Sequence, residues 1–223
     1  YKINNKNNSL NSDIVTNSFY ASHIINGAGF GGIVCFNDFK NYNRAKLLRG
    51  WGRSSATFNE SENINKRFNI KISGIDYDAK YVFSEAGYNF LPSEISAAFA
   101  LEQLKKLKKN INIRNSNFNM LKKYFRKYLN YFDLPEVNKN VKTPWLAFPL
   151  VIKNNSKFKR KDLQIYLEKN NIQTRTIFTG NILKQPIIKN KIYKKISNSE
   201  EVANNVMKNG LLIGCHQGLK KMI

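Results

Sequence analysis

The 223-residue chain predicts an α/β fold in two parts. Three observations carry this. Near the start, two strand-like segments flank a Gly-rich loop and are followed by a helix, an order of elements that suggests α/β architecture. From about residue 112 onward the order reads β–α–β–loop–α–β, a second compact unit. With 42% hydrophobic and 13% aromatic residues the chain can bury a core at this length, which excludes a disordered basic tail. The division falls between residues 1–110 and 111–223.

The elements follow in order. Residues 13–20 (DIVTNSFY) are β-branched and aromatic and predict a short strand. Residues 24–32 (IINGAGFGG) are a Gly-rich loop, and Gly32–Phe36 is the second strand. Asn37-Asp38 offers an N-cap for a helix over 39–49. Residues 50–80 lack periodicity, and long ordered loops are usually functional. A helix starts near Ser93, with Ser96 at N3 in an imperfect capping box. Its apolar face runs through Ile95, Ala98, Leu101, Leu104 and Leu107, resumes at Ile111, and continues through Phe118, Leu121, Phe125 and Leu129. Asn130–Val141, containing Pro135, breaks the pattern. Then come a strand over 145–152, a helix over 161–169 stopped by Asn170-Asn171, a strand over 172–178, a loop over 179–186, a helix over 200–208 and a strand over 211–213.

Lys+Arg number 37 against 15 Asp+Glu, a net charge of +22. Such a balance invites a nucleic-acid partner. However, Lys, Asn and Ile are all in excess, as in NNKNN and KNKIYKKISN, and all three have AT-rich codons. The lysines are spread along the chain, so a basic nucleic-acid-binding module is the remote alternative; a salt-dependent gel shift would mark it. No run approaches the roughly 18 apolar residues of a membrane helix. The polar opening YKINNKNNSLNSD shows no signal peptide, so a cytoplasmic enzyme without a membrane partner is expected. The chain begins at Tyr1 and closes on Met222-Ile223 just after a polar turn; both ends read as cut, and a fragment is expected.

Cys35 and Cys215 stand far apart and suit neither a disulfide framework nor a metal knuckle. Gly27–Gly32 is not a dinucleotide fingerprint, because no helix opens directly after it. His23 lies between the first strand and this loop. A lone histidine is more often a packing residue, yet imidazole titrates near neutrality and suits general acid–base work. His216 lies in the loop Gly214–Gly218 beside Cys215. Adjacent residues on an extended chain face opposite ways, which argues against a Cys/His nucleophile pair. HExxH, GxSxG and P-loop motifs are absent.

Several stretches together resemble the DegT/DnrJ/StrS family of sugar aminotransferases and dehydratases, fold-type I pyridoxal-phosphate enzymes. They are Ser18–His23 (SFYASH), Gly31-Gly32, Leu48–Arg53 (LRGWGR), Gly87–Asn89 (GYN), Glu102–Leu104 (EQL) and Thr179–Asn181 (TGN). The resemblance covers nearly the whole chain and implies the C-terminal part of that fold. Residues 1–110 would be the end of the cofactor-binding large domain, and 111–223 the small α/β domain. Family features of the earlier half (the phosphate loop, the ring-stacking aromatic, the Asp paired with the pyridine nitrogen) have no counterpart among these residues.

In most of the family the equivalent of SFYASH ends in the Schiff-base lysine; here it ends in His23. That resembles the branch of 3-dehydratases acting on nucleotide-linked 4-keto-6-deoxyhexoses in deoxysugar and lipopolysaccharide O-antigen biosynthesis. Imidazole cannot tether pyridoxal 5'-phosphate. The resemblance therefore implies the pyridoxamine 5'-phosphate form, with His23 as catalytic base while the C3 hydroxyl leaves. It further implies that Ser18 and Asn89 bind cofactor phosphate, Asn89 that of the neighbouring subunit in a homodimer. Arg175, Thr179, Gly180 and Asn181, within TRxxFTGN, are implied to lie near the nucleotide sugar, with Arg175 suited to its diphosphate. His216 is in a matching loop on the substrate side. A nucleotide-sugar aminotransferase is the alternative. Between Arg53 and Arg67, where cytidine-linked dehydratases carry a cysteine cluster, this chain has SSATFNESENIN; no iron–sulfur centre or other metal site is expected.

Overall fold

The computed structural model describes residues 2–4, 6–7, 11–58, 63–195 and 199–219. The terminal residues Met222-Ile223, read above as a cut end, and residues 59–62 of the stretch that lacks cysteines lie outside the described residues.

The chain begins with β1 (Lys2–Ile3) and β2 (Lys6–Asn7), followed by β3 (Ile14–Ser18), β4 (Gly32–Phe36) and α1 (Phe39–Arg49). Next come α2 (Ile64–Phe68), β5 (Ile70–Ile72), β6 (Ile75–Tyr77) and α3 (Glu94–Phe125). The remainder holds β7 (Phe132–Asp133), β8 (Val141–Lys142), β9 (Ala147–Ile152), α4 (Arg160–Lys169), β10 (Thr174–Thr176), α5 (Glu201–Asn209) and β11 (Gly210–Gly214). The chain divides into two compact units: Asn8–Lys105, and Lys106–Ile223 together with Tyr1–Asn7.

In the first unit β3 and β4 form an antiparallel hairpin with Ser18 opposite Gly32. The helix read over 39–49 is α1. The Asp38 carboxylate accepts from the Asn41 N–H at 2.8 Å, satisfying one orphan donor of the first turn. Residues 50–80, without periodicity in the sequence, fold as short pieces: a 3₁₀ turn at Ser54–Thr57, α2, and the hairpin β5–β6. That hairpin turns on Ser73 (φ 50°) and Gly74 (φ 82°), the left-handed pair that a two-residue hairpin loop requires. The helix expected from Ser93 is α3, which runs unbroken for 32 residues with no interruption near residue 110.

In the second unit the strands order as β10–β11–β9–β7, all antiparallel. The small sheet β2–β1–β8 stands apart from it in the same unit. Along β9 burial alternates strictly, with Phe148, Leu150 and Ile152 buried. On β11 Leu211 lies opposite Leu150 and Ile213 opposite Phe148, on β7 Phe132 lies opposite Ile152, and Phe118 of α3 completes the cluster. Phe118 stacks on Trp145 with centroids 4.1 Å apart and meets Phe148 edge-on at 5.0 Å. The strand expected over 172–178 is confined to Thr174–Thr176, because Phe178 takes a positive φ of 45° and leaves the extended region. Among the described residues no helix is long and apolar enough to cross a membrane.

Candidate active site

His23 sits in the turn after β3. Its backbone N–H donates to the Tyr20 carbonyl at 2.9 Å, and its Nδ1 lies 2.9 Å from the Ser18 carbonyl oxygen. A carbonyl can only accept, so Nδ1 carries the hydrogen and Nε2 keeps its lone pair. The ring is half-buried, with Tyr20 edge-on at 6.3 Å. The Ser18 hydroxyl oxygen accepts from the Tyr20 N–H at 3.2 Å, which leaves its own hydrogen free to donate. Gly27 closes the loop beneath this turn: its N–H donates to the Phe19 carbonyl at 2.9 Å, and a Cβ there would lie 2.3 Å from the Phe30 carbonyl oxygen. No lysine stands between Lys6 and Lys40, so this segment offers no amine.

Asn89 is exposed, and its backbone bridges to Gly50. LRGWGR and GYN prove to be two sides of one backbone contact. The Trp51 N–H donates to the Tyr88 carbonyl at 2.9 Å, Tyr88 N–H to Leu48 at 2.7 Å, and Phe90 N–H to Arg49 at 3.0 Å. Glycine is required on both sides. A Cβ on Gly52 would lie 1.8 Å from the Glu85 carbonyl oxygen, and one on Gly87 would lie 2.1 Å from the Gly52 nitrogen. Tyr88 and Phe90, the sequence neighbours of Asn89, stack on each other at 5.0 Å and are both largely exposed. The Arg53 guanidinium lies over the Trp51 ring at 4.5 Å. Sequence reading singled out Asn89 but not this clasp; its signal was the pair of glycines.

In the second unit, Arg175 is exposed on β10 and donates from its guanidinium to the Thr174 carbonyl at 2.7 Å. Thr174 is buried and held by Glu168, whose carboxylate accepts from both the Thr174 N–H at 2.6 Å and its hydroxyl at 2.9 Å. Those two bonds push the Glu168 carboxyl below its ordinary range. Thr179 and Gly180 line a cavity of about 130 Å³ with Arg160, Phe178 and Met207. Gly180 has φ 65°, and a Cβ there would lie 2.5 Å from Met207 Cβ. Asn181 is buried and its amide is used internally. Its Nδ2 donates to Glu200 and Asn204, each at 2.8 Å, and its Oδ1 accepts from the Leu183 N–H at 3.0 Å. Asn181 thus fixes the loop that presents Thr179 and Gly180, and Glu200 and Asn204 are partners that sequence reading missed.

His216 is exposed and its neighbour Cys215 fully buried, with Sγ 3.6 Å from the Trp145 carbonyl. Burial raises the Cys215 thiol above its ordinary range. The His216 carbonyl accepts from Asn117 Nδ2 at 2.9 Å, and its Nδ1 accepts from the Gly218 N–H at 3.1 Å. The buried Arg114 donates to the Trp145 and Leu146 carbonyls, both at 3.1 Å, and burial lowers its guanidinium from the ordinary value. The candidate residues therefore fall in two sets, Ser18, His23 and Asn89 in one unit and Arg175, Thr179, Gly180, Asn181 and His216 in the other.

The model of the DegT/DnrJ/EryC1/StrS aminotransferase family matches residues 2–222. The lipopolysaccharide biosynthesis protein RfbH of Salmonella typhimurium is 30% identical over 213 residues, covering 93% of this chain and 48% of RfbH. The solved Escherichia coli GDP-4-keto-6-deoxy-D-mannose-3-dehydratase with bound hydrated PLP superposes with a TM-score of 0.75 at 30% identity, over 92% of this chain and 50% of that one. A structure of ColD carrying adjacent Ser-to-Asn and His-to-Lys substitutions gives 0.73 at 30% identity, over 92% and 51%. The chain spans about half the length of the relatives it matches. It belongs to the DegT/DnrJ/EryC1/StrS family, and its α/β fold corresponds to about half of that family's solved chains.

Proposed function

We propose that this chain forms the histidine-bearing part of an enzyme that uses pyridoxal or pyridoxamine 5'-phosphate to remove the C3 hydroxyl of a nucleotide-linked 4-keto-6-deoxy sugar. The reaction would serve deoxysugar and lipopolysaccharide biosynthesis, the setting named for RfbH. The observation that carries the reading is His23, with Nδ1–H held by the Ser18 carbonyl and Nε2 left as a base, on a segment without lysine. The adjacent Ser and His altered in the ColD structure are the same pair of residue types as Ser22-His23.

The residues present fit the cofactor. The Ser18 hydroxyl can donate to a phosphate oxygen, and the histidine leaves the cofactor untethered, as the exchangeable pyridoxamine form requires. When bound, that form supplies an amine that condenses with the 4-keto carbon and a ring that accepts the electron pair released there. The chain's own part is proton handling: His23 Nε2 would take the proton released at the carbon bearing the cofactor amine and hand it to the C3 hydroxyl, which leaves as water. Asn89, whose side chain is exposed, would reach across a homodimer interface to the partner's cofactor phosphate. Arg175, Thr179 and Gly180 would receive the nucleotide sugar, with Asn181 as their support and His216 at the same ligand. Residues 1–110 are assigned to the end of the cofactor-binding domain and 111–223 to the small domain, in a cytoplasmic protein.

Replacing the histidine by an amine tests the reading. With His23→Lys, borohydride reduction after incubation with pyridoxal phosphate should fix an adduct at position 23, found by mass spectrometry, and dehydration should fall. The unsubstituted protein should give no fixed adduct. A fixed adduct on another lysine of the unsubstituted protein would make transamination the better account.

A further inference from the structure

The two histidines of the chain are held in opposite ways. At His23 the ring's Nδ1 faces a carbonyl, which can only accept. At His216 it faces the Gly218 backbone N–H at 3.1 Å, which can only donate. His216 Nδ1 must therefore be the bare nitrogen, and its hydrogen sits on Nε2. Among the described residues that Nε2–H meets no protein acceptor, and the residue is exposed. The arrangement is built by the loop. A Cβ on Gly218 would lie 3.0 Å from His216 Nδ1 and 3.1 Å from Cε1, and one on Gly214 would lie 3.4 Å from Cδ2. A side chain at 218 would make the ring give by a few tenths of an ångström, away from the backbone N–H that faces Nδ1. The buried Asn117 of α3 and the Leu219 N–H both donate to the His216 carbonyl, at 2.9 and 3.2 Å, so the loop is anchored on two sides.

From this geometry we infer that His216 is a dedicated hydrogen-bond donor, through Nε2–H, to a diphosphate oxygen of the ligand, and not a second acid–base group. The inference rests on the nucleotide-sugar reading above and adds to it what His216 does. A sugar hydroxyl can meet either kind of nitrogen, because it both donates and accepts. A phosphoryl oxygen only accepts and calls for a fixed donor. With 37 Lys+Arg against 15 Asp+Glu, the chain's field favours an anion.

Long-range proton–nitrogen NMR on protein with labelled histidine reads the two rings directly, and His23→Asn identifies which is which. In the neutral rings, His216 should show Nε2–H and His23 Nδ1–H. An Nδ1–H form or an averaged mixture at His216 would overturn the inference. Gly218→Ala should convert His216 to a mixture and leave His23 unchanged; an unaltered His216 pattern counts against the loop's role. Inorganic pyrophosphate, added at constant ionic strength, should displace the His216 nitrogen signals and not those of His23. His216→Gln keeps an N–H near the Nε2 position and should retain pyrophosphate binding within about threefold, whereas His216→Phe should lose about tenfold, one charge-assisted hydrogen bond's worth. Equal binding by His216→Phe and the unsubstituted protein sinks the diphosphate assignment. None of these readouts needs cofactor or turnover, so they stand or fall separately from the borohydride test at position 23.

Discussion

The two units of the chain are held together by different physics. In Lys106–Ile223 a cluster of Phe118, Phe132, Phe148, Leu150, Ile152, Leu211, Ile213 and Cys215 is buried between α3 and the four-stranded sheet. In Asn8–Lys105 the buried apolar residues among those described are Ala79 and Ala100, while Phe30, Phe39 and Phe90 are 75%, 73% and 67% exposed. That unit is organised instead by backbone hydrogen bonds, by the glycine-to-glycine clasp at Gly52 and Gly87, and by ion pairs such as Arg67–Asp78. His23 stands in this second kind of structure. Within this chain the buried apolar cluster and His23 lie in different units, and local opening should be easier where apolar burial is thin.

The largest expected effect separates chemistry from stability. In His23→Asn the amide nitrogen can still donate to the Ser18 carbonyl, so the turn should keep its shape. No base remains at Nε2. The proposed dehydration should slow about 10²–10⁴-fold, while the urea midpoint should move by less than the equivalent of about 0.5 kcal/mol. A large loss of stability would mean that His23 is a packing residue.

The converse change strikes the core. Phe148 is fully buried on β9 and touches Phe118 and Phe125. Phe148→Ala should cost about 3–5 kcal/mol, from lost burial and the cavity left behind. Hydrogen exchange would show where. Amides of β9 and β11 should lose protection by the full amount, and those of β3 and β4 by much less. Equal loss in both units would show that they unfold as one body and would remove the contrast.

How much of this could be read beforehand differs along the same line. α1 was legible because Asp38 is a strong local signal at its start. The apolar strand at β9 was legible because its length and composition suffice. The hairpin β5–β6 was not, since strands of three residues show no period; only Ser73-Gly74 marked it. At the candidate site the residue types were legible and their settings were not. Asn181 reads as a polar loop residue, yet its amide is consumed by Glu200 and Asn204, a contact made only once α5 folds back. The opposite hydrogen placement on His23 and His216 depends on one carbonyl and one backbone N–H, neither of which any sequence pattern displays.

The smallest expected effect tests what fastens the weaker unit. Arg67, at the end of α2, donates from Nε to both oxygens of Asp78, at 2.9 and 3.0 Å, and from its terminal nitrogen to Oδ2. The pair spans the hairpin β5–β6, and its side chains are 28% and 19% exposed. The Arg67 hydrogen bonds hold the Asp78 carboxyl down from 3.8 to about 2, helped by the Lys80 N–H. A carboxyl whose folded value lies below its unfolded value stabilises the fold above the unfolded value and loses that contribution as pH falls through the folded one. Asp78→Asn removes the charge and so removes this dependence. The difference in urea midpoint between the two proteins should be constant at neutral pH, shrink below about pH 4, and nearly close by about pH 2. The partial exposure of both groups keeps the effect modest. Because the pair lies wholly within Asn8–Lys105, the acid step should appear in the exchange of α2 and β5–β6 amides and leave β9 and β11 untouched. A difference that stays level down to pH 2 would mean that Asp78 is not held by Arg67 in solution.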